Sequence, residues 1–445
     1  MKKLIQTIKN IFKIEELRKR IGYTVLLLLV YRLGSFIVLP GIDSTMLAQL
    51  QDNSAEGLVG LLNMVSGGAF GNASIFALGV MPYISASIVI QLLGVFVPYF
   101  RKLQMEGESG RRKMNQLTRY LTILILCIQG PAYMAALHNQ IPEAAFLAIN
   151  RLGWSSFMYN LVSTLILIGG TMFVMWLGER ITDRGIGNGI SLIIMVGIIA
   201  RLPYALTAEI GEKLNSTTGG VLLLIVELVI LFFVFVAAIA LVQGVRKVPV
   251  QYAKRVVGNK QYGGVRQYIP MKINAAGVMP IIFAQALMLF PLIFSQFDAT
   301  RGLAATLSNY TGFWYNLIFG LLVVIFTYFY TAVTVNPTMM AEDMKKNGGF
   351  IPGVKPGKKT VEYLDSIMSR VTLPGSIFLA LIAILPAFAM MLGVNNQFAS
   401  FYGGTSLLIL VGVVLDTLQQ IESHLLMRHY DGLMKTGRLK GRSGM

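Results

Sequence analysis

Long runs of apolar residues, each bounded by polar or charged residues, recur along the whole chain. An α-helix rises about 1.5 Å per residue, so about 20 apolar residues cross the hydrocarbon core of a bilayer, which is roughly 30 Å thick. Ten segments meet this length, and the pattern therefore predicts an all-α polytopic membrane protein with ten transmembrane helices. The predicted spans are 21–39, 73–97, 117–137, 154–178, 187–206, 219–243, 273–295, 313–335, 371–393 and 404–426.

One apolar segment, residues 61–70, is too short to cross a membrane. As a helix its ten residues would cover only about 15 Å, and Ser66, Gly67 and Gly68 interrupt it. Irregular backbone at membrane depth is tolerated where it is buried in protein or lines a cavity. The segment therefore predicts a short re-entrant element inside a membrane cavity.

Composition agrees with a membrane protein and explains most of the charge as a topology signal. Of the 445 residues, 55% are hydrophobic and 13% are charged, whereas soluble domains carry about 25% charged residues. A net charge of +17 is compatible with nucleic-acid binding. However, thirty-three lysines and arginines fall on one side of the ten predicted spans and four on the other. This bias predicts that both termini are cytoplasmic.

Ten spans with both ends on one side divide into two halves of opposite direction. A predicted external hinge loop, 207–218, separates two halves of five spans each, 21–206 and 219–426. Inverted halves with a site at their interface are a recurring plan of transporters and channels. The remaining predicted segments are a cytoplasmic amphipathic helix at 1–20, cytoplasmic loops at 244–272 and 336–370, and a cytoplasmic tail at 427–445.

Sequence motifs of enzymes are incomplete. Residues 185–189 (GIGNG) lack the third glycine of a dinucleotide fingerprint, and we expect a glycine-rich turn between two membrane helices. Residues 353–360 (GVKPGKKT) have the wrong glycine spacing for a phosphate loop, and Lys359 occupies its Ser/Thr position. Three histidines and one cysteine form no metal-ligand pattern. We therefore expect no catalysis, no cofactor and no metal site.

Few ionisable residues fall within the predicted spans. Glu227 and Asp416 are the main acidic ones, and Arg32 is the basic one. Such residues are candidates for functional sites, although a structural contact between helices explains Glu227 and Asp416 equally well. A secondary transporter of a small solute, with Glu227 or Asp416 coupling uptake to an ion gradient, therefore stays open as an alternative.

Two predicted cytoplasmic loops concentrate basic residues. Residues 246–272 interleave lysine and arginine with tyrosine, and residues 347–360 form a lysine-rich tip stiffened by Pro352 and Pro356. Solvated positive-inside loops account for both. The functional interpretation is a docking surface for a large anionic partner, such as RNA phosphates or an acidic protein face.

Six long motifs follow one another along the chain. They are SGGAFGNASIFALGVMPYISASIVIQLL, GESGRRKMNQLTRY, TMFVMWLGERITDRGIGNGIS, NAAGVMPIIFA, NGGFIPGVKPG and YGGTSLLI. In this order they resemble the SecY/Sec61-alpha family of protein-conducting channels of the Sec translocon, over almost the whole chain. The resemblance implies an hourglass channel with a ring of apolar side chains, a plug over its outer half, and a lateral gate between the second and seventh helices.

The matching motifs imply which residues build these parts. The implied pore ring is Val80, Ile84, Ile194, Ile282, Leu287 and Ile409. The implied plug contains Asn63, Met64, Ser66, Gly67, Gly68 and Phe70, and the implied lateral gate contains Ser85, Gln91, Asn274 and Phe290. A narrow apolar constriction blocks ions by dewetting, which suits such a ring. Without the resemblance, each ring residue would be interpreted as an ordinary lipid-facing or packing aliphatic residue.

The resemblance also implies partners. The two basic loops would dock a SecA-like motor ATPase and the ribosome through Arg246, Lys247, Lys254, Arg255, Lys355 and Lys358. Lys355 stands where the family usually has arginine, so the charge is kept but the bidentate fork of a guanidinium is lost. Further implied partners are SecE-like and SecG-like small membrane subunits, signal peptides of secretory proteins, and membrane lipids.

We therefore predict a channel subunit of the bacterial plasma membrane that moves unfolded polypeptides outward or sideways into lipid. Because the sequence has no nucleotide site, energy would come from the ribosome or the motor. The solute transporter is one alternative. A membrane scaffold without a conducting path is another, and it would leave the re-entrant element unexplained.

Overall fold

A computed structural model describes residues 14–47, 63, 66–142, 145–150, 153–215, 220–252, 255–257, 260–262, 266–288 and 311–435. The chain divides into two compact units. The first comprises Met1–Tyr204 and Val413–Met445, and the second comprises Ala205–Gly412.

Helices make up most of the first unit. They are α1 (Glu15–Gly34), α2 (Met81–Phe96), α3 (Pro98–Met105), α4 (Glu108–Gln140), the short α5 (Leu147–Asn150), α6 (Ser156–Arg184) and α7 (Gly189–Asn215), with a 3-10 turn at Ser44–Leu47. The end of α7 passes into the second unit. A buried apolar core under α4 and α6 includes Tyr133, Met134, Phe146, Tyr159 and Leu167.

The second unit adds the remaining helices and five strands. The helices are α8 (Gly220–Gln243), α9 (Met279–Leu287), α10 (Phe313–Thr334), α11 (Pro337–Lys346), α12 (Lys358–Met391), α13 (Asn396–Ala399) and α14 (Gly404–Lys435), whose end lies in the first unit. The strands are β1 (Val245–Tyr252), β2 (Arg255–Val257), β3 (Lys260–Tyr262), β4 (Arg266–Lys272) and β5 (Gly349–Phe350).

The prediction of an all-helical membrane domain is confirmed. Within the described ranges, seven helices are long and apolar enough to cross a membrane, and an eighth span results if α2 and α3 are counted together across their 102° bend. The predicted span 21–39 overlaps α1, and the predicted span 273–295 overlaps α9. The last residues of the predicted span 273–295 lie outside the residues that the structure describes. The count of ten spans and the inverted relation of the halves remain predictions.

Residues 66–80 are turns apart from a bridge between Ser74 and Val38, so the helix predicted for 73–97 was wrong over its first eight residues, 73–80. Gly67 and Gly68 have φ values of +67° and +91°, and Gly79 has +53°, which is left-handed backbone that a continuing helix does not contain. Helix α2 starts only at Met81, and its 16 residues extend about 24 Å. The apolar run misled the prediction because hydropathy is the same for a buried turn and a buried helix.

The predicted external loop 207–218 was also wrong over its first part, because α7 continues to Asn215. Lys213 and Glu209, one helical turn apart, form an ion pair of 3.5 Å that supports this last part of α7. At the other end of the chain, residues 15–20 of the predicted surface helix are the first turns of α1, and residues 1–13 lie outside the description.

The basic loop 244–272 folds as a β-ribbon, which the sequence analysis missed. Strands β1 and β4 pair antiparallel along their length, from Val245 opposite Lys272 to Gln251 opposite Arg266. Strand β5 pairs with the other edge of β1 at Gln251 and Tyr252. Strands β2 and β3 form a separate small hairpin. The alternation of buried Val248 and Val250 with exposed neighbours was the available signal.

Candidate functional site

Asn63 organises the turns of the predicted plug. Its backbone oxygen accepts hydrogen bonds from Gly68 N at 2.8 Å and from Ser66 Oγ at 3.1 Å, and its side-chain Oδ1 accepts one from Gly71 N at 2.9 Å. Ser66 Oγ in turn accepts from Phe70 N at 3.1 Å. Asn63 and Ser66 are both buried. Local polar side chains therefore supply hydrogen bonds that a helix would otherwise provide. Met64 lies outside the described residues.

Side chains from α1 and α4 bind the backbone of the plug. Tyr31 OH donates to the carbonyl oxygen of Ser66 at 3.2 Å, and Arg32 Nη1 donates to that of Gly67 at 2.6 Å. The hydroxyl of Tyr133 donates to the carbonyl oxygen of Phe70 at 2.9 Å. The rings of Phe70 and Tyr133 also meet edge to face, with centroids 4.8 Å apart.

Glycine is required at the plug because neighbouring groups approach closely. A Cβ added to Gly67 would lie 2.7 Å from the Cα of Gly197 on α7 and 3.0 Å from Arg32 Nη1. A Cβ on Gly68 would lie 3.1 Å from Nη2 of Arg201. The plug backbone therefore packs directly on α7 and beside two guanidinium groups.

The first unit brings the plug next to two of the predicted ring positions. Val80 is buried at the start of α2, and the preceding Gly79 lies beside Ser66, where an added Cβ would be in ordinary van der Waals contact at 3.6 Å from the Ser66 Cβ. Ile194 is buried on α7, one turn before the Gly197 that touches the plug. The third ring residue of this unit, Ile84, is half-buried one turn into α2.

The other three predicted ring residues lie in the second unit. Ile282 is half-buried on α9, Leu287 at its end is 39% exposed, and Ile409 is buried on α14. That all six residues form one ring remains a prediction.

The predicted lateral-gate residues lie on two elements. Ser85 and Gln91 are half-buried on α2, where Gln91 Nε2 donates to Ser87 Oγ at 3.2 Å within the same helix. Asn274 lies in the turn before α9, and its buried Oδ1 has no hydrogen-bond partner among the described residues. Phe290 lies beyond the described part of the chain. Pairing across a gate remains a prediction.

The structure joins the two basic loops through the β5–β1 pairing. Beneath the sheet, Val248, Val250 and Met271 pack with buried residues of α11 and α12, including Met344 and Leu364. Four predicted docking residues are exposed around this unit: Arg246, Lys247, Lys355 and Lys358. Lys254 is outside the description, and of Arg255 only its backbone position in β2 is described.

Similarity to known proteins decides the family. A family model described as SecY matches residues 74–418. The protein translocase subunit SecY of Chlamydia muridarum is 41% identical over 98% of this chain and 99% of that protein. The same subunit of Halalkalibacterium halodurans is 44% identical over 97% of this chain and all of that protein. The chain belongs to the SecY family.

Solved structures agree at the level of the fold. The solved structure of a protein-conducting channel superposes on this chain with a TM-score of 0.59 at 17% identity, covering 95% of both chains. Sec61 in a canine ribosome–channel complex from the endoplasmic reticulum gives a TM-score of 0.54 at 16% identity, again over 95% of both chains. The polytopic helical fold is therefore that of the SecY and Sec61 channels.

The GIGNG motif of this SecY-family chain is a turn between α6 and α7, as predicted. Its amide groups are already bonded to side chains: Ile186 N to Thr24 Oγ1 at 3.1 Å, Gly187 N to Gln420 Oε1 at 2.9 Å, and Gly189 N to Thr182 Oγ1 at 2.9 Å. The turn therefore connects α1, α6 and α14, and these three amide groups are not free to bind a phosphate.

Glu227 lies in a buried ionic cluster rather than alone. Lys213 Nζ lies 3.0 Å from Glu227 Oε1 and 3.5 Å from Glu209 Oε1, and it donates to the carbonyl oxygen of Gly393 at 2.8 Å. Glu209 Oε2 accepts from Asn395 N at 2.8 Å. The cluster ties α7 to α8 and to the turn before α13, which supports the structural interpretation of Glu227.

The second acidic candidate is in a different environment. Asp416 is exposed on α14 and accepts a long hydrogen bond of 3.4 Å from Gln420 Nε2. The two carboxylates suggested for solute coupling are therefore one buried ion-pair member and one exposed residue. This arrangement gives the transporter hypothesis no support.

Several of these contacts were missed from sequence. Tyr31 and Tyr133 look like ordinary aromatic residues of apolar helices, and Glu209 was not singled out. Arg32 and Lys213 did carry a signal in the sequence. Arg32 lies inside a predicted span and Lys213 in the predicted external loop, and both positions depart from the positive-inside bias.

Proposed function

We propose that this chain is the central channel subunit of a protein translocase, moving unfolded secretory polypeptides across the plasma membrane and releasing membrane segments through a lateral gate. The observation that carries the proposal is the identity of 41–44% to protein translocase subunits over nearly the full length of both proteins. At this identity and coverage, this chain and these relatives share one fold, with equivalent segments in the same order. In this proposal the chain has no catalysis of its own.

The proposed path runs through the ring Val80, Ile84, Ile194, Ile282, Leu287 and Ile409. An apolar constriction excludes ions because water in it is unstable, while flexible aliphatic side chains can move aside for a peptide. Contacts between the plug and the residues next to Val80 and Ile194 support a plug that closes on this ring. A solved structure at 17% identity is described as showing that the plug domain of SecY stabilises the closed state of that channel.

The proposed lateral gate uses Ser85, Gln91, Asn274 and Phe290. Hydrogen bonds between membrane helices contribute only about 0.6 kcal/mol each on average, so a few of them make a closure that an apolar signal helix can open. The buried Asn274 Oδ1, unpartnered among the described residues, is consistent with a residue that exchanges partners.

The proposed docking surface is the exposed basic side of the β1–β4–β5 unit, with Arg246, Lys247, Lys355 and Lys358 and with Lys254 and Arg255 nearby in sequence. Ribosomes are phosphate-rich partners, and structurally similar Sec61 and Ssh1 channels are described in complexes with ribosomes. We propose the ribosome and a SecA-like motor as partners, SecE-like and SecG-like small subunits beside the helices, and cytoplasmic termini.

Crosslinking of a stalled secretory chain tests the proposed path. Single cysteines at Ile84, Ile194, Ile282 and Ile409, with Cys127 removed, should each form adducts with the stalled chain in reconstituted membranes. Cysteines at Leu222 and Phe232, which are exposed on the apolar helix α8, are the matched lipid-facing controls and should form none. A verified stalled chain that labels no ring position would contradict the path.

A further inference from the structure

Three side chains of α1 and α4 hold the plug by its backbone. Tyr31, Arg32 and Tyr133 donate to the carbonyl oxygens of Ser66, Gly67 and Phe70. We propose that these three side chains, here called the plug clasp, set how readily the plug leaves the closed position. This inference rests on the proposed function, because it assumes that the plug seals a channel.

Backbone recognition makes the plug clasp independent of plug side chains. Every acceptor is a carbonyl oxygen, so a substitution on the plug removes none of them as long as the turns keep their shape. That shape depends on Gly67 and Gly68, whose left-handed φ values set the local chain direction. Gly67 also admits Arg32, since a Cβ there would lie 3.0 Å from Nη1.

Arg32 is the strongest member of the clasp. Its 2.6 Å hydrogen bond to Gly67 is charge-assisted, and such bonds are roughly twice as strong as neutral ones. An arginine within a membrane helix is costly unless a polar partner or water surrounds the charge. When the plug moves away, the guanidinium loses its carbonyl partner and needs water instead. Release of the plug is therefore coupled to wetting of the space it leaves.

The two tyrosines add the geometric restraint. Tyr31 and Tyr133 are almost fully buried, on α1 and α4 respectively, and they bind carbonyls at opposite ends of the Ser66–Phe70 turns. A displaced plug would leave both hydroxyl groups to find other partners in a buried region, which costs free energy. Three separate bonds must thus break together for the plug to leave.

Resting ion conductance of the full-length protein in planar bilayers tests the clasp. One charge-assisted hydrogen bond is strong enough to change an equilibrium by about tenfold or more. Arg32→Gln should therefore raise the resting open probability about tenfold, while Tyr31→Phe and Tyr133→Phe should raise it several-fold each. Arg32→Lys, which keeps the charge, should fall between wild type and Arg32→Gln. Tyr23→Phe, on the same helix α1, is the matched control and should leave the seal unchanged.

Deletion of residues 63–70 separates the clasp from the proposed function. The deletion itself should leak, and adding Tyr133→Phe or Arg32→Lys to it should change nothing, because no plug is left to hold. Clasp variants that seal like wild type, or that leak further in the deleted background, would overturn the clasp alone. A deletion that does not leak would instead overturn the plug assignment. If Arg32→Gln fails to insert, the two tyrosine variants, which each lose one oxygen atom, decide the matter.

The reactivity of a cysteine beside the plug gives a second readout, which does not depend on conductance. With Cys127→Ser as background, Asn72→Cys next to the plug should react with a membrane-impermeant maleimide added from outside. The reaction should be about tenfold faster in Arg32→Gln than in the background protein and unchanged in Tyr23→Phe. Equal rates in all three proteins would count against the clasp.

Discussion

Lys213 is a residue whose removal should destabilise the second unit strongly. It is the cation between Glu209, which is fully buried, and Glu227, which is nearly so. Removing one partner of a buried ion pair leaves an uncompensated charge and typically costs about 3–5 kcal/mol. We expect Lys213→Met to lower the apparent Tm of the detergent-solubilised protein, measured by light scattering or intrinsic fluorescence.

A rescue variant and a matched pair on the surface make this prediction specific. Lys213→Met combined with Glu227→Gln should recover part of the lost stability, because one buried negative charge is removed. Lys19→Met breaks an i,i+4 pair with Glu15 at 2.8 Å that is largely exposed, so its cost should be under about 1 kcal/mol. If Lys213→Met and Lys19→Met shift the Tm equally, the ionic cluster does not carry the stability assigned to it here.

Burial also changes the chemistry of Tyr402, which lies in the turn before α14. Burial raises the pKa of its phenol, and the negative charges of Glu227 and Glu209 raise it further. The phenol therefore stays neutral throughout the physiological pH range. No charge change of this residue disturbs the neighbouring carboxylates.

At the scale of elements, the glycine-rich turn between α6 and α7 is held by side-chain oxygens of α1, α6 and α14. Thr24 Oγ1 accepts from Ile186 N at 3.1 Å and also donates to Arg20 O within its own helix. Thr24→Val should leave the buried Ile186 amide unpaired and cost about 1–3 kcal/mol. Thr118→Val removes only a bond within its own helix, to Met114 O, and is the matched control.

The measurement is the difference in apparent Tm between these two valine variants. Both threonines are buried and both changes are nearly isosteric, so packing changes are similar. A larger loss for Thr24→Val is the expected outcome. Equal losses would mean that the hydrogen bond between Thr24 and the turn contributes nothing beyond helix geometry.

Elements also show what the sequence could and could not predict. The long spans were predictable because membrane length and apolar composition are enough to define them. The start of α2 was not, because residues 73–80 are as apolar as a helix while their backbone turns. The β1–β4 ribbon was missed because its alternation of apolar residues is short and interrupted by Pro249 and Pro270.

Contacts distant in sequence lay further out of reach. Tyr31 and Ser66 are 35 residues apart, Tyr133 and Phe70 are 63 apart, and Ile186 and Thr24 are 162 apart. No local pattern relates the members of such pairs. The family resemblance named the plug, but only the structure shows which side chains hold its backbone.

For the whole molecule, the exceptions to the charge bias are informative. By the predicted topology, Arg32, Arg201 and Lys213 depart from the concentration of basic residues on the cytoplasmic side. Two of them lie against the plug glycines, and the third binds two buried carboxylates. Basic residues away from the cytoplasmic side work against the topology signal. Arg32 and Lys213 each have a bonded partner in the structure, and Arg201 packs beside Gly68.

The same bias leaves open whether the remaining basic residues only orient the chain or also bind a partner. Lys355 decides between the two at a single position. It is exposed at the loop tip, where Thr360 Oγ1 donates to its carbonyl oxygen at 3.0 Å and thereby fixes the backbone that presents its side chain. An exposed charge on a backbone held in one position suits a docking contact. A topology signal, in contrast, needs the charge but not a fixed position for it.

Lys355→Glu should therefore slow translocation of a secretory substrate at least several-fold in inverted membrane vesicles, while the protein itself inserts normally. Lys346→Glu is the matched control, because Lys346 is an exposed lysine of the same predicted loop that lies 3.9 Å from Asp343. Both variants change the net charge of the loop equally. Translocation reduced only in Lys355→Glu would assign docking to the loop tip, because loop charge alone predicts equal effects. Equal rates in both variants would return the loop to a purely topological role.

Adding salt should lower the wild-type translocation rate toward that of Lys355→Glu if the contact is electrostatic, since exposed charges are screened within about 10 Å at 0.1 M salt.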